Sequence, residues 1–495
     1  MTDTIEDRAS GIPAPKFVSG FCQEQRRRLI LVAAILASAM GFIDGSVIAI
    51  AIPAIRETLD ASLIQVQWVH NAYLLTLSAL TLVGGAFGDR FGLARIFGLG
   101  IAVFVISSVI CALAPSPEVL IPARAIQGLG AAMMIPGSLA IISRAYPRET
   151  RGAAIGTWAA ASAVTTAAGP IIGAGVLTVG GAEMWRWVFA INVPMGALAI
   201  WLLVRAVEKD PARAGERVDL MGAALATLAL GGLAWGLTGG HGTILWPYIG
   251  FGLAALLAFL WVEARQSAPM MELTLFASRA FSAVNAMTFS FYFAFSTIMF
   301  FLPMVVISGW GLREIDTAAA FAPLSIFIGG FSSRVGRLAD RYGPRPFLAA
   351  GSAIVAVAFT ALALVIPNQV FWYQVVPATT LMGFGMALLV APLSTAVMAS
   401  VDDAHAGSAS GVNNALARMA GLFSVAAMGS LAAVIYTQAG GPLSFGAADL
   451  DPAHVAAMNT AFAAIIWVSA GLAALSSVLI WIGPCDLASL SAGDL

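Results

Sequence analysis

The sequence predicts an all-α membrane protein of fourteen spans, with both ends in the cytoplasm and two six-helix bundles separated by two additional transmembrane helices. Three observations carry that expectation. Of the 495 residues, 59% are hydrophobic and only 10% charged, with a mean hydropathy of +0.89. The apolar residues fall in blocks of about 20, enough to cross a hydrocarbon core about 30 Å thick at about 1.5 Å per residue. The Lys and Arg residues sort to one side of the layout that these blocks define.

Taken in order, residues 1–28 are polar and lead directly into a long apolar run, so they read as a cytoplasmic tail before a retained first span, not as a cleaved signal peptide. Spans centred on 29–51, 67–88, 95–115, 119–141, 153–178 and 187–204 make the N-terminal six-helix bundle, 29–204. Two further spans, 220–238 and 244–262, form a linking pair over 220–262. Spans at 280–307, 318–333, 346–366, 371–398, 406–436 and 456–482 make the C-terminal bundle, 280–482, and residues 483–495 a C-terminal cytoplasmic tail. The edges near 310 and 405 are the least sharply marked.

With the N-terminus inside, 20 of the 25 basic residues lie in the tail or at cytoplasmic connections. Only Arg56, Arg186 and Arg313 fall outside, and Arg124 and Arg418 lie within spans. This bias requires an even number of spans. No connection is long enough for a soluble catalytic domain; the longest polar stretches, "AVEKDPARAGERVDL" from 206 and "TQAGGPLSFGAADLDPAHV" from 437, are loop-like in Pro, Gly and Asp. The cysteines (Cys22, Cys111, Cys485) and the four histidines lack the spacing of a disulfide framework or metal centre. No Gly-rich, Lys-containing nucleotide loop is present. The expected surrounding is therefore the lipid bilayer, with no cofactor, no metal, no nucleic acid and no enzyme activity. A functional monomer in a bacterial cytoplasmic membrane is expected; an accessory periplasmic partner is compatible with it.

The chain repeats itself. "GAFGDRFGLAR" from Gly85 matches "GRLADRYGPRP" from Gly336, aligning Gly85, Asp89, Arg90 and Gly92 with Gly336, Asp340, Arg341 and Gly343; Arg95 and Arg345 lie near the ends of the two copies. Both copies sit where a span gives way to a short cytoplasmic turn. Such duplicated units point to structural repeats of the kind that support alternating access. Gly permits an unusual turn, and Asp and Arg can join helix ends by charge-assisted hydrogen bonds near the headgroups, as a cytoplasmic gate requires. The second copy follows the tenth span where a six-plus-six plan would put it after the eighth, which marks the pair at 220–262 as an insertion. That pair carries no buried ionisable residue and reads as a linking or peripheral pair outside the transport path.

Asp44, in "GFIDGSVIAIAIPAI", is the acid placed well inside a span. An unpartnered Asp there costs about 2.5–3.5 kcal/mol on insertion scales, so it asks for a partner, an aqueous cavity or a proton. Counting rise from the outer ends puts Arg124 at a similar depth, which makes a pair feasible. Such a pair is either a static tie between helices or, if protonation interrupts it, a coupling device. Arg418, one turn after Asn414, suits a substrate contact, a backbone contact or an interfacial position. Asn71, Tyr73 and Gln127 add polar capacity in the same half of the membrane, as helix ties or cavity contacts. In the fifth span, "AAGPIIGAGVL" places Gly169, Pro170, Gly173 and Gly175 where they permit close packing and a compliant helix.

These motifs together resemble the major facilitator superfamily, and within it the fourteen-span drug/proton antiporter group. The resemblance spans roughly residues 29–482. It rests on the repeated cytoplasmic motif, on "IDGSVIAIAIPAI", "ARAIQGLGAA" and "GPIIGAG", and on "WRWVFAINVPMG" from Trp185. What it implies is the major facilitator fold and export of hydrophobic or amphipathic compounds in exchange for protons, with Asp44 and Arg124 in the coupling network; a small-molecule substrate and protons are the partners that the resemblance implies. Leu93 and Ala94 stand where the cytoplasmic signature is commonly basic, which thins its charged clamp. With Asp44 as the one embedded acid, neutral, weakly acidic or zwitterionic substrates fit at least as well as cations. The competing expectations are a symporter or facilitator importing a metabolite and, further off, a membrane sensor or scaffold.

Overall fold

The computed structural model describes residues 21–208, 210, 218–239, 244–266, 269–402 and 405–483. Most of the predicted N-terminal tail and nearly all of the C-terminal one therefore lie outside the described residues. The helices are α1 (Arg27–Thr58), α2 (Leu63–Phe91), α3 (Leu93–Leu113), α4 (Pro117–Ala145), α5 (Arg148–Gly180), α6 (Ala182–Ala206), α7 (Leu220–Thr238), α8 (Trp246–Glu263), α9 (Arg279–Gly309), α10 (Glu314–Tyr342), α11 (Arg345–Asn368), α12 (Phe371–Ala399), α13 (Ala406–Gln438) and α14 (Pro452–Ile482). Thirteen of these are long and apolar enough to cross a membrane. The remaining one, α5, is a 33-residue helix whose apolar stretch is Ala168–Gly180.

Most helices outrun their apolar blocks, because polar ends are capped and solvated once clear of the hydrocarbon. Ser62 and Gln65 form a reciprocal capping box at the start of α2, with the Ser62 N–H donating to Gln65 Oε1 at 2.8 Å and the Gln65 N–H to Ser62 Oγ at 3.2 Å. The α10 region is where the edges move most. A short helix at Glu314–Ala318 is followed by a break, and the main helix runs from Ala322, so the span extends beyond the predicted 318–333 at both ends. The turns after α2 and α10 pass through Gly92 (φ 105°) and Gly343 (φ 81°), left-handed backbone that glycine adopts without strain. The matching glycines of the repeat thus do the same conformational job.

Packing repeats too. Within the first half α1 packs on α5 and α6, α4 on α2 and α3, and α3 on α6; within the second, α9 packs on α13 and α14, α12 on α10 and α11, and α11 on α14. The pattern is the same, shifted by eight helices. Glycines set the closest approaches. A Cβ on Gly100 would meet Gly130 O at 3.0 Å, and one on Gly351 would meet Gly385 O at 2.8 Å. The separation along the chain from Gly100 to Gly351 equals that from Gly85 to Gly336. The halves meet through α1·α9, α2·α13 and α5·α10. Helices α7 and α8 pair with one another, and α7 also lies on both α2 and α13. Large exposed side chains such as Leu113, Val204, Trp246, Leu257 and Trp481 cover the outer faces of the helices, as a lipid-facing surface requires.

Candidate functional site

The polar centre of the first half is built by four helices around Asp44. Pro53 lies inside α1 beyond it, and Asp44 itself is 1% exposed. Arg124, on α4, is fully buried and places Nη1 2.5 Å from Asp44 Oδ2. A fully enclosed ion pair persists only where its remaining hydrogen-bonding capacity is met. Much of it is. Arg124 Nε donates to the Val69 carbonyl at 3.0 Å and Nη1 to Gln127 Oε1 at 2.6 Å, while Gln127 Nε2 donates to Asp44 Oδ1 at 3.0 Å and to Ser108 Oγ at 2.8 Å. Asn192 Nδ2 donates to the same Ser108 oxygen at 3.1 Å, bringing α3 and α6 into the cage. The guanidinium carbon stands 4.4 Å from the Tyr73 ring centre and 5.4 Å from that of Phe189. One nitrogen, Arg124 Nη2, has no partner among the described residues.

Local sequence explains how α4 and α2 come close enough. A Cβ on Gly128 would fall on Tyr73 O and Thr76 Oγ1, so only glycine admits this approach. Thr76 Oγ1 then donates to the Ala125 carbonyl at 2.8 Å. The fifth-span glycines act similarly on α1. A Cβ on Gly169 would overlap Ser46 Oγ, and one on Gly173 would lie 2.5 Å from Val47 Cγ1, whereas Gly175 faces open space. Gly169 and Gly173, with Pro170 between them inside α5, press the helix against the residues that directly follow Asp44.

Of the residues singled out from sequence, Asp44, Arg124, Gln127 and Tyr73 come together. Asn71 is buried with both amide atoms unpartnered. Arg418 Nε donates to Asn414 Oδ1 at 3.0 Å, and Arg418 lies within electrostatic reach of Tyr73 and Tyr292. Sequence reasoning passed over His70, whose ring packs on Phe300 with centroids 5.2 Å apart and whose Nδ1 is buried without a partner. It also passed over Asn413, which donates to Asn285 Oδ1 and Thr288 Oγ1 at 3.0 and 2.8 Å. One histidine or asparagine in a span carries no signal of its neighbours.

The two cytoplasmic motifs differ. In the first, Asp89 pairs with Arg144 at 3.5 Å, and Arg144 also reaches Asp210 at 3.7 Å. Asp210 Oδ2 accepts from the Arg95 N–H at 2.9 Å, capping the start of α3 beside Gly92. The clamp expected to be thin at Leu93 and Ala94 thus gains an acid from the segment after α6. That segment is held from the tail side by Glu208 N–H donating to the Phe21 carbonyl at 3.0 Å. Gly85 faces open space, and Arg90 lies 5.1 Å over the Phe91 ring. In the second copy Gly336 faces Ala391, Asp340 is exposed, Arg341 lies 5.3 Å over Tyr342, and Arg345 Nε donates to the Ile480 carbonyl at 3.1 Å.

On the outer side the halves are tied together. Arg56 at the end of α1 donates to the Phe445 carbonyl at 2.7 Å and to Ser444 Oγ at 2.6 Å in the α13–α14 loop. Thr178 of α5 donates to Glu314 Oε2 at 3.1 Å and accepts from the Ile315 N–H at 3.1 Å. Gln67 Nε2 donates to the Val425 carbonyl at 2.9 Å. Toward the cytoplasm, α5 exposes Gly152, Gly156 and Thr157, and α10 exposes Gly329, Gly330 and Ser333.

The family model described as Major Facilitator Superfamily matches residues 34–426 and again 287–488. Multidrug resistance protein Stp of Mycobacterium tuberculosis is 30% identical, covering 82% of this chain and 76% of that protein. The tetracenomycin C resistance and export protein of Streptomyces glaucescens is 30% identical, covering 88% and 80%. Among solved structures, a bacterial homologue of the human lysosomal transporter Spinster, inward-facing and unoccupied, superposes with a TM-score of 0.65 at 18% identity, over 93% of this chain and 98% of that one.

Proposed function

The chain belongs to the Major Facilitator Superfamily and is a multi-pass membrane transporter, and we propose that within that family it exports hydrophobic or amphipathic small molecules in exchange for protons across a bacterial cytoplasmic membrane. The observation that carries this reading is the enclosed Asp44–Arg124–Gln127 cage, which holds an embedded acid on helices that must move relative to the second half. The names of the drug-resistance and export relatives support the direction and the class of cargo.

Proton binding at Asp44 removes the charge that Arg124 holds, and so releases the guanidinium to seek other partners. Arg124 already bridges α4 to α2 through Val69 and Tyr73. A change in its pairing is therefore felt at the α2·α13 contact, where the halves meet. Outward opening breaks the Arg56 and Thr178 ties and gives Asp44 access to outside protons. Return to the outward-closed form described here re-forms the cage and sends the proton inward. Cargo enters from the cytoplasm between α5 and α10, and Tyr292, Asn414 and Arg418 offer an aromatic ring with a few polar groups beside it, suited to amphipathic cargo.

Purified protein in liposomes, given a pH gradient and cationic, neutral and anionic compounds in turn, should move protons only when a transported compound is present. Asp44→Asn should abolish that substrate-dependent proton flux. Unchanged coupled flux in Asp44→Asn would overturn the role of Asp44, and cargo movement along its own gradient without protons would overturn exchange.

A further inference from the structure

The inserted pair reads from sequence as a linking or peripheral pair with no buried ionisable residue; the structure corrects this and places two buried carboxyls at its cytoplasmic base. Asp219 caps the start of α7 and Glu263 ends α8, and they are 8% and 3% exposed. The two side chains converge over Gly222, where an added methyl would strike Asp219 Oδ2 and Glu263 Oε1 at once.

Backbone and side-chain donors serve the cluster. The Gly222 N–H donates to Asp219 Oδ1 at 2.7 Å, Gln266 Nε2 to Asp219 Oδ2 at 2.8 Å, and the Met271 N–H to Glu263 Oε2 at 2.8 Å. Glu263 Oε1 is left buried with no partner among the described residues, aimed at the other carboxyl. Charged neighbours are occupied elsewhere: Arg265 lies 4.2 Å over the Trp261 ring, and Glu272 pairs with His405 at 3.4 Å. No described Lys or Arg makes an ion pair with either carboxyl.

Two buried carboxyls in contact cannot both carry charge without a bridging cation; one of them keeps a proton. We propose that Asp219 and Glu263 share a single proton and form a cytoplasm-facing proton-binding site in the inserted pair, outside the Asp44 route. The proton fills the gap at Glu263 Oε1, which makes Glu263 the carboxylic acid and Asp219 the acceptor. Burial works to raise the Asp219 carboxyl, but hydrogen bonds from Glu263, the Gly222 backbone, Gln266 and the Met270 backbone outweigh it and hold it below its ordinary value.

The site fastens the start of α7, the end of α8 and, beyond it, Gln266 and Met271, next to which Glu272 pairs with His405 of the α12–α13 connection. The sign of its pH dependence follows. With one proton the fastening is complete; as cytoplasmic pH rises and the proton leaves, two negative charges repel and the base loosens. Asp219 takes up a second proton only in acid below the ordinary carboxylate range.

Thermal unfolding of the purified full-length protein in detergent, followed from pH 5.5 to 9, reads this site without any transport assay. The wild type should lose unfolding temperature as pH rises, and Glu263→Gln, which keeps a neutral donor at the same place, should flatten that slope. Alkaline titration should release one proton fewer from Glu263→Gln than from the wild type. Parallel unfolding profiles with equal proton release would overturn the proposal. Rescue of the wild type at pH 9 by sodium or potassium, but not by choline, would replace the shared proton with a bound cation. If Glu263→Gln fails to fold, an infrared protonated-carboxyl band in the wild type at neutral pH that Asp219→Asn displaces supports the proposal, and its absence overturns it.

Discussion

Gln127 donates to Asp44 Oδ1 at 3.0 Å from the same amide nitrogen that donates to Ser108, while its carbonyl takes Nη1 of Arg124. It is the only side chain among the described residues bonded to both members of the ion pair. Replacing it with Leu takes the donor from Asp44 Oδ1 and an acceptor from Arg124 Nη1 at once, while Ser108 keeps Asn192. Leaving a buried polar group unsatisfied costs about 1–3 kcal/mol. Gln127→Leu should lower the unfolding temperature in detergent markedly, and Gln127→Asn by less; equal values for wild type and Gln127→Leu would show that the cage does not depend on it.

Removing one member of the enclosed pair is worse than removing both. Breaking a buried ion pair from one side costs about 3–5 kcal/mol, because the other charge stays buried. Arg124→Gln and Asp44→Asn should each destabilise by that order, and the double variant by less than their sum. The double-mutant cycle by chemical unfolding checks this, and strict additivity would contradict a direct pair. Substrate-dependent proton flux should be lost in all three.

The fifth-span glycines separate packing from flexibility. Gly173→Ala would press a methyl onto Val47, whereas Gly175→Ala meets nothing within contact range. Overpacking of this kind costs about 1–3 kcal/mol. Gly173→Ala should lower both stability and transport while Gly175→Ala leaves them near wild type; the reverse order would mean that the helix bends at Gly175 in the cycle.

Arg56 is the outer tie with the most direct reading. A hydrogen bond to a charged group is worth about 1.5–3 kcal/mol, so its loss should shift the balance between outward-closed and outward-open forms by about 10- to 100-fold. In Arg56→Ala, a cysteine placed on the outer part of α5 should react faster with a membrane-impermeant thiol reagent. An unchanged rate would show that the Thr178–Glu314 and Gln67 contacts hold the outer side closed alone.

How far the sequence reveals all this depends on whether the signal is local. Span length, charge sorting and the repeat are properties of short windows, and they deliver the fold. Asp44 and Arg124 are paired by counting rise along two helices, since depth is linear in residue number. Their cage is a different matter. Gln127, Ser108 and Asn192 stand on three helices, and no spacing rule says which polar side chains of a bundle converge. Asp210 escapes notice because its partners lie far away in sequence, at Arg144 and the start of α3. Asp219 and Glu263 stand just past the edges of two apolar blocks, where a hydropathy window treats them as loop. The repeat also hides an inequality: by the offset of the cytoplasmic motifs Tyr73 matches Leu324 and Arg124 matches Val375, so the second half has neither the buried cation nor the aromatic ring beneath it at those positions.

The inserted pair has a mechanical consequence. α7 leans on α2 through apolar contact, with the Trp68 and Trp235 rings 5.0 Å apart, but it is bonded to α13, where Ser430 Oγ meets the Leu237 and Thr238 carbonyls at 2.6 and 2.9 Å. If the halves rotate apart as alternating access requires, a pair bonded in this way would travel with the second and slide across the first. In the proposed transport cycle it would act as a wiper blade on the α2·α13 seam, keeping lipid tails out of a joint that opens and shuts.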